Sequence, residues 1–168
     1  MHSGSDLFAD LPADDLDRPD EYWFIERGDR DPASEFARQT RFLSMLRKMA
    51  PAIDAIAVPN AGRSTDWERV RRWREGARAG ALDLVVVWKP TKPGDRGVFF
   101  PEFKDGQGKP SDAQRARLNL YHRMGHKCGV YRRPATLLLH LQQAGAPFLI
   151  PAEQASQPKE KKRGNDEV

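Results

Sequence analysis

An acid and a base interrupt an otherwise apolar run in the stretch "FFPEFKDGQGKPSDAQ" at 99–114. Glu102 and Lys104 are two positions apart, so on a β-strand they share one face while Phe103 points to the other. A strand that enters a core has no packing reason to carry a carboxylate and an ammonium. The pair therefore indicates either a salt bridge on an exposed face or a site that needs both charges.

A second acid lies in the preceding apolar run, "LDLVVVW" at 82–88. In a regular hairpin whose loop is centred between residues 92 and 93, residues whose numbers add to 185 face each other, which pairs Asp83 with Glu102. A β-bulge would shift this pairing by one residue. Directly opposed residues have Cβ atoms about 4.5–5.5 Å apart, and like charges there destabilise the sheet.

The chemistry that such a pair can perform follows from its charge. Two half-buried carboxylates this close must share a proton or hold a cation. Oxygen ligands suit Mg²⁺ or Mn²⁺, which keep several water ligands and also bind phosphate oxygens. Lys104, one step along the same face, could then orient an attacking water or stabilise charge on the phosphate. The constellation is typical of phosphodiester cleavage.

Helix and strand signals alternate around these residues. Asp31, with Pro32 at the first helical position, is expected to cap a helix that ends before Pro51. Gly80 is expected to let the backbone approach a neighbour closely ahead of Asp83. The periodicities predict a mixed α/β chain with helices at 31–50, 66–78, 111–125 and 134–145 and strands at 53–58, 82–88, 98–104 and 127–132.

Charge is distributed unevenly along the 168 residues, a length typical of one domain. Residues 1–30 hold 9 acids and 3 bases and are predicted to be a weakly ordered acidic segment, although "EYWFIE" at 21–26 could dock on the body. Residues 152–168 hold 4 of each and are predicted to be a charged, disordered tail. The body, 31–151, holds 21 bases and 11 acids, a net charge of +10, which favours a polyanionic partner such as nucleic acid.

The same composition bears on location. The single cysteine suits a reducing compartment, and no apolar run approaches the ~18 residues of a membrane span. The sequence therefore predicts a cytoplasmic protein with no membrane partner.

The spacing of Asp83, 18 further residues and then Glu102-Phe103-Lys104 resembles the signature of the PD-(D/E)XK nucleases. The wider chain resembles the VRR-NUC branch of that superfamily, in its stand-alone phage and bacterial form. The matching stretches run from about residue 33 to 133 and comprise "SEFARQ", "VPNAGR", "REGARAGALDLVVV", "FFPEFKDGQGKPSDAQ" and "KCGVYR". Leu82 departs from the family pattern, in which a proline that binds no metal usually precedes the aspartate.

The resemblance implies a restriction-endonuclease-like core, in which helices flank a central mixed β-sheet. It implies a DNA endonuclease that depends on Mg²⁺ or Mn²⁺ and is selective for branched, flapped or junction DNA in replication, repair or recombination. Stand-alone members tend to pair, so a homodimer that cuts both strands of double-stranded DNA is expected. The alternative is a catalytically inactive DNA-binding module of the same fold, and a third reading is a basic adaptor for an acidic protein.

The family pattern also assigns roles to individual residues. The expected catalytic residues are Asp83, Glu102, Lys104 and Gln114. The expected metal ligands are Glu35, Asp83, Glu102 and the backbone carbonyl of Phe103. The expected nucleic-acid contacts are Asn60, Arg63, Arg71, Arg72, Arg74, Arg115 and Arg117.

Two of these residues have a structural alternative. Glu35 continues the helix stripe of Phe42 and Leu46, but an acid near a helix start also interacts favourably with the helix dipole. Gln114 completes the pattern S-x-x-Q that begins at Ser111, which is a capping box and needs no catalysis. The sequence leaves both alternatives open.

Overall fold

The computed structural model describes residues 23–58, 67 and 80–156. The elements in these ranges are β1 (Phe24–Ile25), α1 (Glu35–Met49), β2 (Asp54–Ala57), β3 (Leu84–Val87), β4 (Val98–Phe103), α2 (Asp112–Arg123), β5 (Lys127–Tyr131), α3 (Pro134–Gln143) and a 3-10 helix (Ala152–Ser156). The predicted turn at 59–63 and the predicted helix at 66–78, Trp67 excepted, lie outside the described residues. None of the described helices has the length and apolarity needed to cross a lipid bilayer.

The described strands form one mixed sheet in the order β1-β5-β4-β3-β2. β3 runs antiparallel to both β2 and β4, whereas β5 runs parallel to both β4 and β1. The β3–β4 hairpin pairs Val86 with Phe99 and Val87 with Val98, and in both pairs the residue numbers add to 185. The predicted hairpin register and the predicted mixed α/β class are therefore confirmed.

Ser34, rather than Asp31, caps α1. The Ser34 hydroxyl accepts the backbone N–H of Ala37 at 3.2 Å, which satisfies one of the donors left open in the first helical turn. The Asp31 carboxylate accepts the N–H of Ala33 at 2.9 Å. The predicted cap was wrong because Asp31 closes a local turn of its own. The helix consequently begins at Glu35.

Alternation along β4 gives the sheet two different faces. Phe103 is buried in the main core with apolar residues of α1, α3 and β3. Phe100 packs instead against a smaller cluster that includes Leu118 of α2. Glu102 and Lys104 point to the same face as Phe100, because side chains alternate along a strand. The two charged residues therefore lie on the α2 side of the sheet.

Part of the acidic N-terminal segment packs on the body. Phe24 and Ile25 form β1 and pair in parallel with β5. Trp23 is buried, and its indole N–H donates to the Asn119 side chain at 2.7 Å. The sequence left open whether the stretch at 21–26 docks, and these contacts show that its residues from 23 onward do.

Candidate active site

Asp83 and Glu102 cross-link the neighbouring ends of β3 and β4. The Asp83 carboxylate accepts the backbone N–H of Phe103 at 2.8 Å, and the Glu102 carboxylate accepts the backbone N–H of Asp83 at 3.0 Å. Asp83 is 8% exposed and Glu102 is 0% exposed. The two acids therefore meet inside the body, as the hairpin register predicted.

Pro101 accounts for the interruption of the backbone ladder beside this pair. Amides of alternate residues on a strand point to the same neighbouring strand, and the N–H of Phe103 points toward β3. Two residues earlier, Pro101 occupies a position whose N–H would also face β3, and proline has none. Regular β3–β4 pairing includes Val86 with Phe99 and stops short of Pro101. Beyond it, the carboxylates bridge the two strands.

Lys104 lies between two carboxylates. Its Nζ donates to Oε1 of Glu102 at 2.6 Å and lies 3.5 Å from Oε1 of Glu35. The Lys104 side chain is 8% exposed, whereas the Glu35 side chain is 44% exposed. Glu35 reaches this place because it is the first residue of α1. The cluster therefore has a buried end at Glu102 and a solvent-facing end at Glu35.

The pKa values of all three buried groups are shifted by burial and by their neighbours. Burial and the nearby charge of Asp83 raise the pKa of Glu102 to about 7, although Lys104 acts in the opposite direction. Burial also raises the pKa of Asp83, partly offset by the N–H of Phe103. For Lys104, burial acts to lower the pKa, but the hydrogen bond and charge of Glu102 outweigh it and the pKa is raised. Such shifts are typical of functional sites.

Gln114 joins the cluster from the first turn of α2. The Ser111 hydroxyl accepts the N–H of Gln114 at 3.3 Å, and Oε1 of Gln114 accepts the N–H of Ser111 at 2.9 Å, which completes the predicted capping box. Nε2 of Gln114 donates to Oε1 of Glu102. The acceptor end of the Gln114 amide caps the helix while its donor end contacts Glu102, and the catalytic role of Gln114 stays a prediction.

Gly80 packs the segment before Asp83 against the same helical turn. Its φ of 70° lies in the left-handed region that favours glycine. A Cβ at this position would lie 2.1 Å from the carbonyl oxygen of Ala113. The close backbone approach predicted from the sequence is therefore confirmed. It fixes the position of Asp83 relative to Gln114.

The carboxylate oxygens of Asp83 and Glu102 are of the ligand type that a divalent ion such as Mg²⁺ prefers. Mg²⁺ is usually held by one or two carboxylates together with waters and phosphate oxygens. Glu35 contacts the Lys104 ammonium, whose Nζ lies 3.5 Å from Glu35 and 2.6 Å from Glu102. Among the described residues, no group of three or more His, Cys, Asp or Glu is arranged to hold a metal ion. The ligand roles of Glu35 and of the Phe103 carbonyl stay predictions.

Most of the predicted nucleic-acid contacts are not among the described residues. Five of them fall outside the described residues: Asn60, Arg63, Arg71, Arg72 and Arg74. Arg115 is on the first turn of α2 and lies 3.5 Å from the Asp112 carboxylate. Arg117 is 7% exposed, and this placement within the body does not favour a phosphate contact.

Two buried arginines that the sequence did not single out fix the chain around the cluster. Arg38 of α1 is 2% exposed and holds the Asp29 carboxylate with two hydrogen bonds of 2.8 Å. Arg132 is 5% exposed and donates to carbonyl oxygens of the loop 106–108, at 3.3 and 2.5 Å. This loop follows Lys104 directly. Arg38 also donates to the Arg132 carbonyl at 2.8 Å, so the two anchors are joined.

Comparison of the chain with models of protein families, with curated proteins and with solved structures found no match. A functional assignment therefore depends on the chemistry of Asp83, Glu102 and Lys104 and on the surfaces around them.

Proposed function

We propose that the protein is a divalent-metal-dependent endonuclease that hydrolyses phosphodiester bonds in DNA. The observation that carries this proposal is a buried cluster of two carboxylates and one ammonium. Asp83 and Glu102 each accept a backbone N–H from the other's strand end, and Lys104 lies 2.6 Å from Glu102. Opposed like charges destabilise a sheet, so such a pair is typical of a cation site. We further propose a restriction-endonuclease-like core, with which the mixed sheet is compatible.

Asp83 and Glu102 would hold the Mg²⁺ or Mn²⁺ ion, with Glu35 and the Phe103 carbonyl as further candidate ligands. When bound, such an ion lowers the pKa of a water ligand and offsets charge that develops on the scissile phosphate. Glu102, with its pKa of about 7, would give up its proton on becoming a ligand. Metal affinity should therefore rise as the pH rises through neutrality.

Lys104 is the residue best placed to act on the reacting atoms. An ammonium has three donors, so Nζ can keep its contact with Glu102 and also donate to an attacking water or a phosphate oxygen. Donors that are fixed before charge develops contribute strongly to catalysis. Gln114 holds Oε1 of Glu102 and so orients that carboxylate before substrate arrives. Glu35 marks the solvent-facing side, from which DNA would enter.

Cleavage of labelled linear, flapped and four-way DNA, with Mg²⁺, with Mn²⁺ and with EDTA, tests this proposal. Lys104→Ala and Glu102→Gln should each lower the cleavage rate by about a hundredfold or more, as removal of one preorganised group does elsewhere, with DNA binding retained. Lys89→Ala is the matched control. Lys89 is an exposed lysine beyond the end of β3 that is remote from Asp83, and its loss should leave the rate unchanged.

Three outcomes separate the candidate functions. Metal-dependent cutting that both substitutions abolish supports the nuclease. Tight, salt-sensitive DNA binding without cutting in either metal identifies a DNA-binding module that lacks the chemistry. Failure to bind DNA at all contradicts both and favours a protein partner. Sedimentation of the same samples tests the predicted homodimer.

A further inference from the structure

The solvent-facing side of α1 combines an aromatic ring with an excess of positive charge. Seven residues on this side are exposed: Phe36, Ala37, Thr40, Arg41, Ser44, Arg47 and Lys48. Three of them are cationic and none is acidic. We call these seven residues the exposed face of α1. A surface with this charge attracts a polyanion.

The exposed face is continuous on the helix surface. At 3.6 residues per turn, its seven residues fall within an arc of about 140°. The buried residues of α1 lie on the opposite side: Arg38, Phe42, Leu46 and Met49. Phe36 therefore points away from the core that its helix covers. Packing within the described part of the chain gives no reason for an aromatic residue there.

The face begins at the candidate active site. Phe36 directly follows Glu35, whose carboxylate lies 3.5 Å from Nζ of Lys104. Phe36 is 78% exposed. A single exposed apolar residue is ordinary on a protein surface, but an aromatic ring beside a site for phosphodiester chemistry can stack on a base. Such stacking requires a base that is not already paired and stacked in a duplex.

The cations continue from this ring along the helix. At a rise of 1.5 Å per residue, Arg41 lies ~8 Å and Arg47 and Lys48 lie ~17 Å from Phe36 along the axis. That length corresponds to roughly five nucleotides at the per-strand rise of 3.4 Å in duplex DNA, and to fewer nucleotides in an extended single strand. Arg47 and Lys48 also suit the last turn of a helix because of its dipole. The dipole accounts for neither Arg41 in the middle of the helix nor Phe36 at its start.

We propose that the exposed face of α1 binds a single-stranded segment of DNA that adjoins the cleaved bond. Phe36 stacks on an unpaired base, and Arg41, Arg47 and Lys48 contact phosphates of the same strand. This inference rests on the proposed nuclease function and gives it a physical basis for preferring flapped or branched DNA over a plain duplex.

The charge contribution is tested by measuring DNA affinity against salt concentration. The test variant is R41Q/R47Q/K48Q, in which glutamine keeps a good helix former at each position. Loss of three phosphate contacts should reduce the slope of log affinity against log salt by about 2 for single-stranded DNA. The matched control loses the same charge from exposed lysines at the end of the sheet remote from Lys104: Lys89→Gln, Lys92→Gln and Lys127→Gln. Its slope should equal that of wild type.

The aromatic contribution is tested with Phe36→Ala on single-stranded, flapped and duplex DNA of equal length. Affinity for the first two should fall by about fivefold to a hundredfold, with little change for duplex. Phe36→Trp should retain the preference, because it keeps a stacking surface. Leu149→Ala is the matched control, since Leu149 is 77% exposed and should have no effect. Circular dichroism melting checks that each variant is folded.

Either of two results overturns this inference while leaving the nuclease intact. In the first, Phe36→Ala binds all three DNAs with the same affinity as the wild-type protein. In the second, the two triple variants show the same salt slope. In both cases the wild-type protein still cuts DNA. If wild type binds no DNA in any form, the proposed function falls together with the inference.

Discussion

Replacement of Glu102 by glutamine should stabilise the protein at alkaline pH. Glu102 is 0% exposed, and burial together with the charge of Asp83 raises its pKa from an ordinary value of 4.5 to about 7. The charged form is therefore less favourable in the folded protein than in the unfolded chain. Glutamine has nearly the same shape but carries no charge. Its single amide oxygen can still accept from Lys104 and Gln114, at the expense of the hydrogen bond from the N–H of Asp83.

The sign and the size follow from proton linkage. A group whose pKa is raised on folding contributes stability that is fully present below the unfolded pKa and is lost as pH rises through the folded pKa. For Glu102 this window runs from 4.5 to about 7. A pKa difference of one between the folded and unfolded states corresponds to about 1.4 kcal/mol, so the ionised carboxylate should lower the free energy of unfolding by about 3 kcal/mol at pH 8 relative to pH 4. Glu102→Gln should remove this loss.

Urea unfolding at pH 4.5, 6, 7 and 8, without divalent metal, measures the effect. The free energy of unfolding of Glu102→Gln, relative to that of wild type, should rise by about 3 kcal/mol between pH 4.5 and pH 8, a relative midpoint shift of roughly 1–3 M urea. Glu153→Gln makes the same change at an exposed position and should show no such trend. A pH-independent loss of stability in Glu102→Gln would refute the reasoning, because Glu102 would then be a favourable buried ion.

Three further predictions concern backbone packing, a buried acceptor and metal binding. Gly80→Ala should lower the free energy of unfolding by more than about 2 kcal/mol, because the new Cβ would lie 2.1 Å from a backbone atom. Gly94 also has a positive φ, 84°, but no atom lies near its Cβ position, so Gly94→Ala should lower the free energy of unfolding by only about 1 kcal/mol. Glu26→Ala removes a buried acceptor for the backbone N–H groups of Arg132 and Arg133 and should lower the melting temperature by about 10 °C. A free energy of unfolding that stays within about 1 kcal/mol of wild type would contradict this role. Mg²⁺ at about ten times its Kd should stabilise wild type by about 1.4 kcal/mol at pH 8 but not Glu102→Gln, as measured by melting temperature.

The sequence predicted the parts of this site that depend on local patterns. Alternation of apolar and polar residues, together with the position of the turn, determines the register of a hairpin. That is why Asp83 could be matched with Glu102. The pattern S-x-x-Q predicted the capping box at Ser111, and the glycine at 80 predicted a close backbone approach. In each of these cases the deciding residues are neighbours in sequence or belong to one hairpin.

Features that depend on contacts between distant segments were missed or wrong. Asp31 and Ser34 are both good helix caps, and contacts of Arg38 add to the local turn that Asp31 closes in deciding between them. The Arg38 side chain donates to the carbonyl oxygens of Asp31 at 2.7 Å and Ala33 at 2.9 Å, which holds these residues outside the helix. The Arg132 side chain donates a hydrogen bond to the carbonyl oxygen of Glu26, which is 106 residues away in the sequence. In the sequence, the one signal for the role of Arg38 is its position on the buried stripe of α1, where a charged residue needs partners.

The polar groups around the cluster follow the general pattern that buried polar atoms are paired, whereas the two acids at its centre depart from what stabilises a sheet. The arginines at 38 and 132 satisfy buried carbonyls and carboxylates, and Gly80 relieves a contact that any other residue would make impossible. Asp83 and Glu102, in contrast, place like charges together inside a sheet, where neutral side chains would be more favourable. Departures from local rules concentrate at functional sites.

A purely structural ion pair between Glu102 and Lys104 predicts that Glu102→Gln loses stability and has no cleavage activity to lose. A cation site predicts the opposite combination, a gain of stability together with a loss of cleavage, and one variant measured by both assays distinguishes the two.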